Sequence, residues 1–235
     1  MREQRTENRE RGTSEQGDEG TRKRGNKGTR GQGDEGARDR GDEGTGSGFR
    51  FRVTPMVPVG YLAKSSCRKP EGFGLPSVED VYSVSGDVNE DFSDYIGSWK
   101  HNGYWLFDSP KAVREVAEEK SVDLSGSMLF YYEVYEEEFT GSLWRPFAPS
   151  SGMATNVEEP AQKKLEGYDV VTFFAGNSPE CSPLSCNGLA DEIKVNRHCL
   201  LETLSDAREL LNAGRFSGGE PGPYRIFAVY SVDWP

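Results

Sequence analysis

Four residues late in the chain carry side chains suited to nucleophilic or metal chemistry: Cys181, Cys186, His198 and Cys199, spaced Cys-x4-Cys-x11-His-Cys. One chemistry is thiol catalysis. A thiolate at Cys186 needs a base, and His198 can serve wherever the fold brings the two together. A helix predicted from Asn187 puts Cys186 just ahead of its positive end, which favours the thiolate. Cys181 is the second thiol of that candidate site, and Glu180, Asp191 or Glu202 could orient the imidazole. The other chemistry is zinc binding. The first cysteine pair has a usable spacing, but adjacent residues of a strand point to opposite faces, so His198 and Cys199 do not both reach one ion. No metal and no cofactor is therefore expected.

The same loop offers a ligand-binding surface through Ser182, Ser185, Asn187 and Gly188, whose hydroxyls and backbone N–H groups precede the predicted helix. It is not a phosphate loop, because GxxxxGK[ST] is absent. The commoner role for cysteines in such a setting is to fill a turn or a core. Glu133 and Glu136–Glu138 read as the solvated end of a strand. Trp144-Arg145-Pro146-Phe147 is an apolar cluster inside a loop.

Charge narrows the partners. The chain carries a net −11, and the excess lies beyond residue 50: the last 185 residues hold 16 basic and 28 acidic side chains. Such a surface repels phosphate backbones, so no nucleic acid is expected; a basic protein partner or a small ligand at the 177–188 loop fits better. No run reaches the roughly 18 apolar residues of a membrane helix, so no membrane is expected. Without an apolar leader the chain reads as cytoplasmic, with its four cysteines reduced. The function expected is a soluble binding or interaction module without catalysis. The rival is a thiol-dependent enzyme using Cys186 with His198 as base.

The elements that must position these residues read as α+β. Residues 1–48 repeat GDEG at 17–20, 33–36 and 41–44 and hold almost nothing apolar, which predicts a disordered tail, with Met56 as the native start. Residues 56–140 form a first β-α-β-α-β unit, 141–167 a connector and 168–235 a second such unit. Strands are predicted at Val57–Ala63, Val78–Ser85, Gly103–Phe107, Ser127–Phe139, Tyr168–Ala175, His198–Thr203 and Tyr224–Val232. Helices are predicted at Asp87–Trp99, from Ser109-Pro110, at Asn187–Ile193 and at Ser205–Ala213. The units align collinearly, Leu106-Phe107-Asp108-Ser109 with Leu200-Leu201-Glu202-Thr203, which reads as an internal duplication packed about a pseudo-twofold axis. A single doubly wound α/β sheet is the alternative. Asp80 aligns with Asp169 and Asp94 with Asp191, so the second unit has eight extra residues, and these hold the cysteine loop as a graft. Deleting residues 1–48 should leave the thermal midpoint unchanged, since a glycine-rich charged tail has no apolar face to dock. A fall of several degrees in a calorimetric scan would mean that the tail packs.

Overall fold

Met128–Phe139 alternates Leu129, Tyr131 and Glu133 with Phe130, Tyr132 and Val134, and all six are buried. A strand covered on both faces must lie inside a sheet. In the computed structural model it is β2 of a five-stranded antiparallel sheet, with Met56–Lys64 (β1), Trp144–Pro146 (β3), Lys164–Thr172 (β4) and Tyr224–Val232 (β5). The order is β1-β2-β5-β4, and β3 pairs with the far end of β2. The structure describes residues 56–64, 67, 69, 73–85, 101–148, 154–173 and 180–235. The predicted tail and the predicted helix at Asp87–Trp99 lie outside them.

The two β-α-β-α-β units are not what forms. Every strand pairing described is antiparallel, which also removes the doubly wound alternative. Gly103–Phe107 and His198–Thr203 are loops that touch the sheet at single bridges, Tyr61 to Phe107 and Tyr168 to Leu201. Asparagine is the reason. Asn102 Oδ1 accepts from the backbone N–H of Tyr104 (2.9 Å) and Leu106 (3.3 Å), while Asn196 Oδ1 accepts from His198 (2.8 Å) and Leu200 (3.1 Å). A side chain that takes these donors replaces the ladder of a strand. The bend is completed by positive φ at Trp105 (64°) and Cys199 (59°). Val78–Ser85 is likewise not a strand of the sheet; Glu79 and Asp80 donate to the Arg197 carbonyl, and Tyr82 to that of His198.

What recurs is therefore smaller than a β-α-β-α-β unit: a strand, an asparagine loop, a helix and an antiparallel strand. Each asparagine also donates Nδ2–H to the outer strand, to Val59 O and to Glu166 O, at 2.8 Å in both. Beside each acceptor is a glycine in a bulge, Gly60 at φ 134° and Gly167 at φ 147°. A Cβ would come within 2.6 Å of Phe107 O at Gly60 and 2.8 Å of Leu201 O at Gly167. Only glycine permits both the dihedral and the approach.

The helices follow from their ends. Pro110–Lys120 (α1) begins with Ser109, whose Oγ accepts from Ala112 N, and with Pro110 in the first turn. Pro183–Cys186 is the one-turn α2, followed by a 3₁₀ turn at Leu189–Asp191. Leu204–Asn212 (α3) opens on a reciprocal box between Thr203 and Asp206. Val113, Val116 and Ala117 of α1 join the core around Phe130; Leu204, Ala207 and Leu211 of α3 join that around Val170 and Ile226.

Gly167→Ala should destabilise the fold by about 2–4 kcal/mol through strain and overpacking. Asn196→Ala, which strands two backbone donors, should cost a similar amount, about 2–4 kcal/mol. Urea unfolding checks both, and a wild-type midpoint in either variant would show that the clasp does not hold the edge.

Candidate functional site

The cysteine loop is built onto the end of β4. Thr172 N donates to Cys181 O (2.8 Å), and Glu180 N returns a bond to Thr172 O (3.1 Å). One helical turn later the chain reaches Cys186, which is joined to Cys181 by a disulfide. The expectation of four reduced thiols is thus corrected for this pair. Cys186 ends α2 instead of preceding a helix, because Pro183 starts the turn early, so the dipole that would favour a thiolate is reversed. The other two cysteines are buried. Burial, then the charge of Asp169, pushes the Cys199 thiol up to about 12, and burial raises Cys67 as well.

Ser182 is where the loop meets the interior. It stands at the N-cap of α2 without capping it, and donates its hydroxyl proton to Asp169 Oδ2 at 2.6 Å. The same oxygen accepts Val84 N–H at 2.7 Å. With that proton used, the Ser182–Ser85 hydroxyl contact (2.7 Å) takes its proton from Ser85. Asp169 is 1% exposed and Ser182 0%. The Asp–Ser–Ser relay is sealed from solvent and acts as a latch that pins residues 84–85 and α2 to β4. Leu184 is fully buried too, so the loop belongs to the core and is not a dispensable graft. Ser185 is half-buried, bonded back to Ser182 O, while Asn187 is exposed and accepts Glu220 N–H at 2.9 Å. Gly188 takes φ 69° to turn into the 3₁₀ segment.

His198 lies in a different cluster, and none of its polar contacts is with Cys181 or Cys186. Its ring stacks on Tyr82 at 4.0 Å. Nε2 accepts Arg197 Nε–H at 3.0 Å, which places the neutral ring's proton on Nδ1, a buried atom without a hydrogen-bond partner. Asp80 and Glu166 stand 3.9 and 3.6 Å away, beyond hydrogen-bond reach. Burial outweighs both carboxylates and lowers the His198 pKa. Burial raises Glu166, but hydrogen bonds from Lys164 and Ser231 prevail and hold it low. Among the described residues no group of three or more His, Cys, Asp or Glu could hold a metal ion.

Two buried charge clusters went unread in the sequence. Glu138, placed there at a solvated strand end, is 5% exposed and takes Arg225 Nε–H at 2.9 Å and Arg145 Nε–H at 2.7 Å. The Arg225 guanidinium lies 3.6 Å from the ring centres of both Phe147 and Phe173. Burial lowers its pKa to about 10, still charged at neutral pH. Glu133, also buried, is held by Lys163 and by Tyr230 Oη–H at 2.9 Å. The signal was present as basic residues in or beside strands, yet Arg225 and Tyr230 lie so far in sequence from Glu138 and Glu133 that no local spacing shows the pairing.

Comparison with family models, curated proteins and solved structures finds no match for this chain.

Burial lifts the Asp169 carboxyl from 3.8 to about 6, against the pull of Ser182 and Val84. A carboxyl raised on folding binds its proton more tightly in the folded state, so its contribution is largest below pH 3.8. It is lost as pH rises to about 6. The loss is on the order of 3 kcal/mol. Asp169→Asn, which cannot titrate, should lack this slope in denaturant midpoints measured from pH 4 to 7. Parallel curves for variant and wild type would overturn the assignment.

Proposed function

We propose that this chain is a binding module without catalytic activity, engaging a basic polypeptide through the disulfide-closed turn at residues 180–188. The observation that supports this reading is how the turn is held. The disulfide, the paired bonds to Thr172 and the Ser182–Asp169 latch fix its backbone, and Cys186 and Asn187 stay exposed. A turn fixed before encounter loses little conformational freedom on binding. The acidic setting favours a basic partner, since Glu180, Asp191, Glu192 and Glu220 around the turn are all exposed. No observation favours the rival thiol enzyme: Cys186 shares its sulfur with Cys181, and His198 makes its contacts elsewhere. Among the described residues, no helix is long and apolar enough to cross a membrane.

A photo-crosslinking amino acid at Asn187, compared with one at exposed Lys111 on α1, tests the proposal in extract of the source cell. Adducts to one basic protein should recur at position 187, weaken in about 0.5 M salt and be absent at 111. Identical adducts from both positions, or none at 187, would sink it.

A further inference from the structure

An asparagine followed by glycine is a place where a chain can alter itself without an enzyme. The glycine amide nitrogen attacks the side-chain carbonyl carbon, and with no Cβ on the glycine little crowds its approach. The chain has two such steps, Asn102-Gly103 and Asn187-Gly188. The fold treats them in opposite ways. Asn102 is 2% exposed, and its Nδ2 donates to Val59 O (2.8 Å) and Asp108 Oδ1 (2.9 Å). Its Oδ1 is shared by the N–H groups of Tyr104 and Leu106, and Gly103 N–H donates to Thr155 Oγ1 at 3.1 Å. Leaving group, carbonyl and nucleophile are all held there, away from solvent.

Asn187 is exposed. Among the described residues its Nδ2 has no acceptor, and the peptide unit joining it to Gly188 is hydrogen-bonded through neither C=O nor N–H. The space around is open, since a Cβ at Gly188 would meet nothing within 4 Å. With ψ 3° at Asn187 the Gly188 nitrogen is turned away from Cγ, and this uncrowded peptide unit breaks no bond in swinging toward it. The one hydrogen bond Asn187 accepts assists the chemistry. Its Oδ1 takes Glu220 N–H at 2.9 Å, so a backbone donor already sits on the oxygen that becomes negative when the carbonyl is attacked.

We propose that Asn187 is a self-modification site, deamidated through attack by the Gly188 backbone nitrogen. That nitrogen bonds to Cγ and gives up its proton; the Cγ–Nδ2 bond breaks, and Nδ2 leaves with the proton as ammonia. The resulting succinimide is opened by water at either ring carbonyl, giving aspartate or isoaspartate. No electrons are transferred, and water is the co-reactant. Either product adds a carboxylate beside the exposed Glu180, Asp191, Glu192 and Glu220, and isoaspartate also reroutes the main chain through Cβ. The chemistry requires no partner, so it stands apart from the binding role of the same turn.

The full chain, incubated in heavy-oxygen water at mildly alkaline pH and then peptide-mapped by mass spectrometry, tests the proposal. A sample unfolded in urea is the reference. In the native chain Asn187 should gain the amide-to-acid mass shift and the heavy oxygen, as a mixture of aspartate and isoaspartate. Asn102 should convert in urea but react at least about a thousandfold more slowly in the native chain, because its loop must first unfold. An unchanged native Asn187 beside a converted urea sample would overturn the proposal. Equal native rates at the two asparagines would do the same, as would aspartate without isoaspartate, the mark of direct hydrolysis.

Discussion

The primary amides of Asn102 and Asn196 set the conditions under which this sheet can exist. An outer strand of an antiparallel sheet shows a row of unpaired backbone groups and invites another chain to pair with it. Here both outer strands are covered by the same device. The amide turns the following loop back onto the strand and bonds the strand itself, and a glycine bulge lets the two backbones touch. Everything downstream inherits that geometry. The loop leads directly into Ser109 and Thr203, which start the helices, and the helices return the chain to the two central strands.

Inside this frame, polar groups act as fasteners. Asp169, Glu133 and Glu138 are all buried, and each is met by hydroxyl, amide or cationic donors from segments remote in sequence. Buried charges add little net stability compared with apolar replacements, but removing one partner of a pair is costly. Their value here is geometric, because each fixes one segment to one place. Asp169 holds Val84, and through Ser182 also Ser85, together with the cysteine turn, while Glu138 joins β3 to β5 through two arginines.

Some of this was legible in the residues. Tyr224–Val232 was read with the bounds it has, because an apolar run after Pro-Gly-Pro has few other fates. Of the two longer helices, α1 announced itself through Ser109-Pro110, while α3 was legible as a helix at Ser205–Ala213 although its cap, Thr203, reads there as strand. The failures share a cause. Aromatic and β-branched residues at 103–107 and 198–203 suit a strand as well as a buried loop, and only the side-chain amide decides between them. Asn102 and Asn196, each four residues before a leucine, were the missed signal. The residue pattern fits alternating βα units because an antiparallel return hidden in such a loop leaves no trace in composition. The cysteine pair was likewise open, since whether Cys-x4-Cys closes depends on the turn that Pro183 starts.

The ladder between the central strands has a temporal side. It pairs residues such as Tyr132 and Val229, about a hundred positions apart, whereas β4 and β5 are much nearer neighbours in sequence. Closing so long a loop before any contact rewards it is slow, and folding rates fall as contacts become less local. The middle of this sheet is thus the last part that a newly made chain can assemble. Until the final strand leaves the ribosome, β2 has only β1 and the short β3 beside it. Its inner edge, lined by Phe130, Tyr131 and Tyr132, is then open to whatever unpaired strand is nearby.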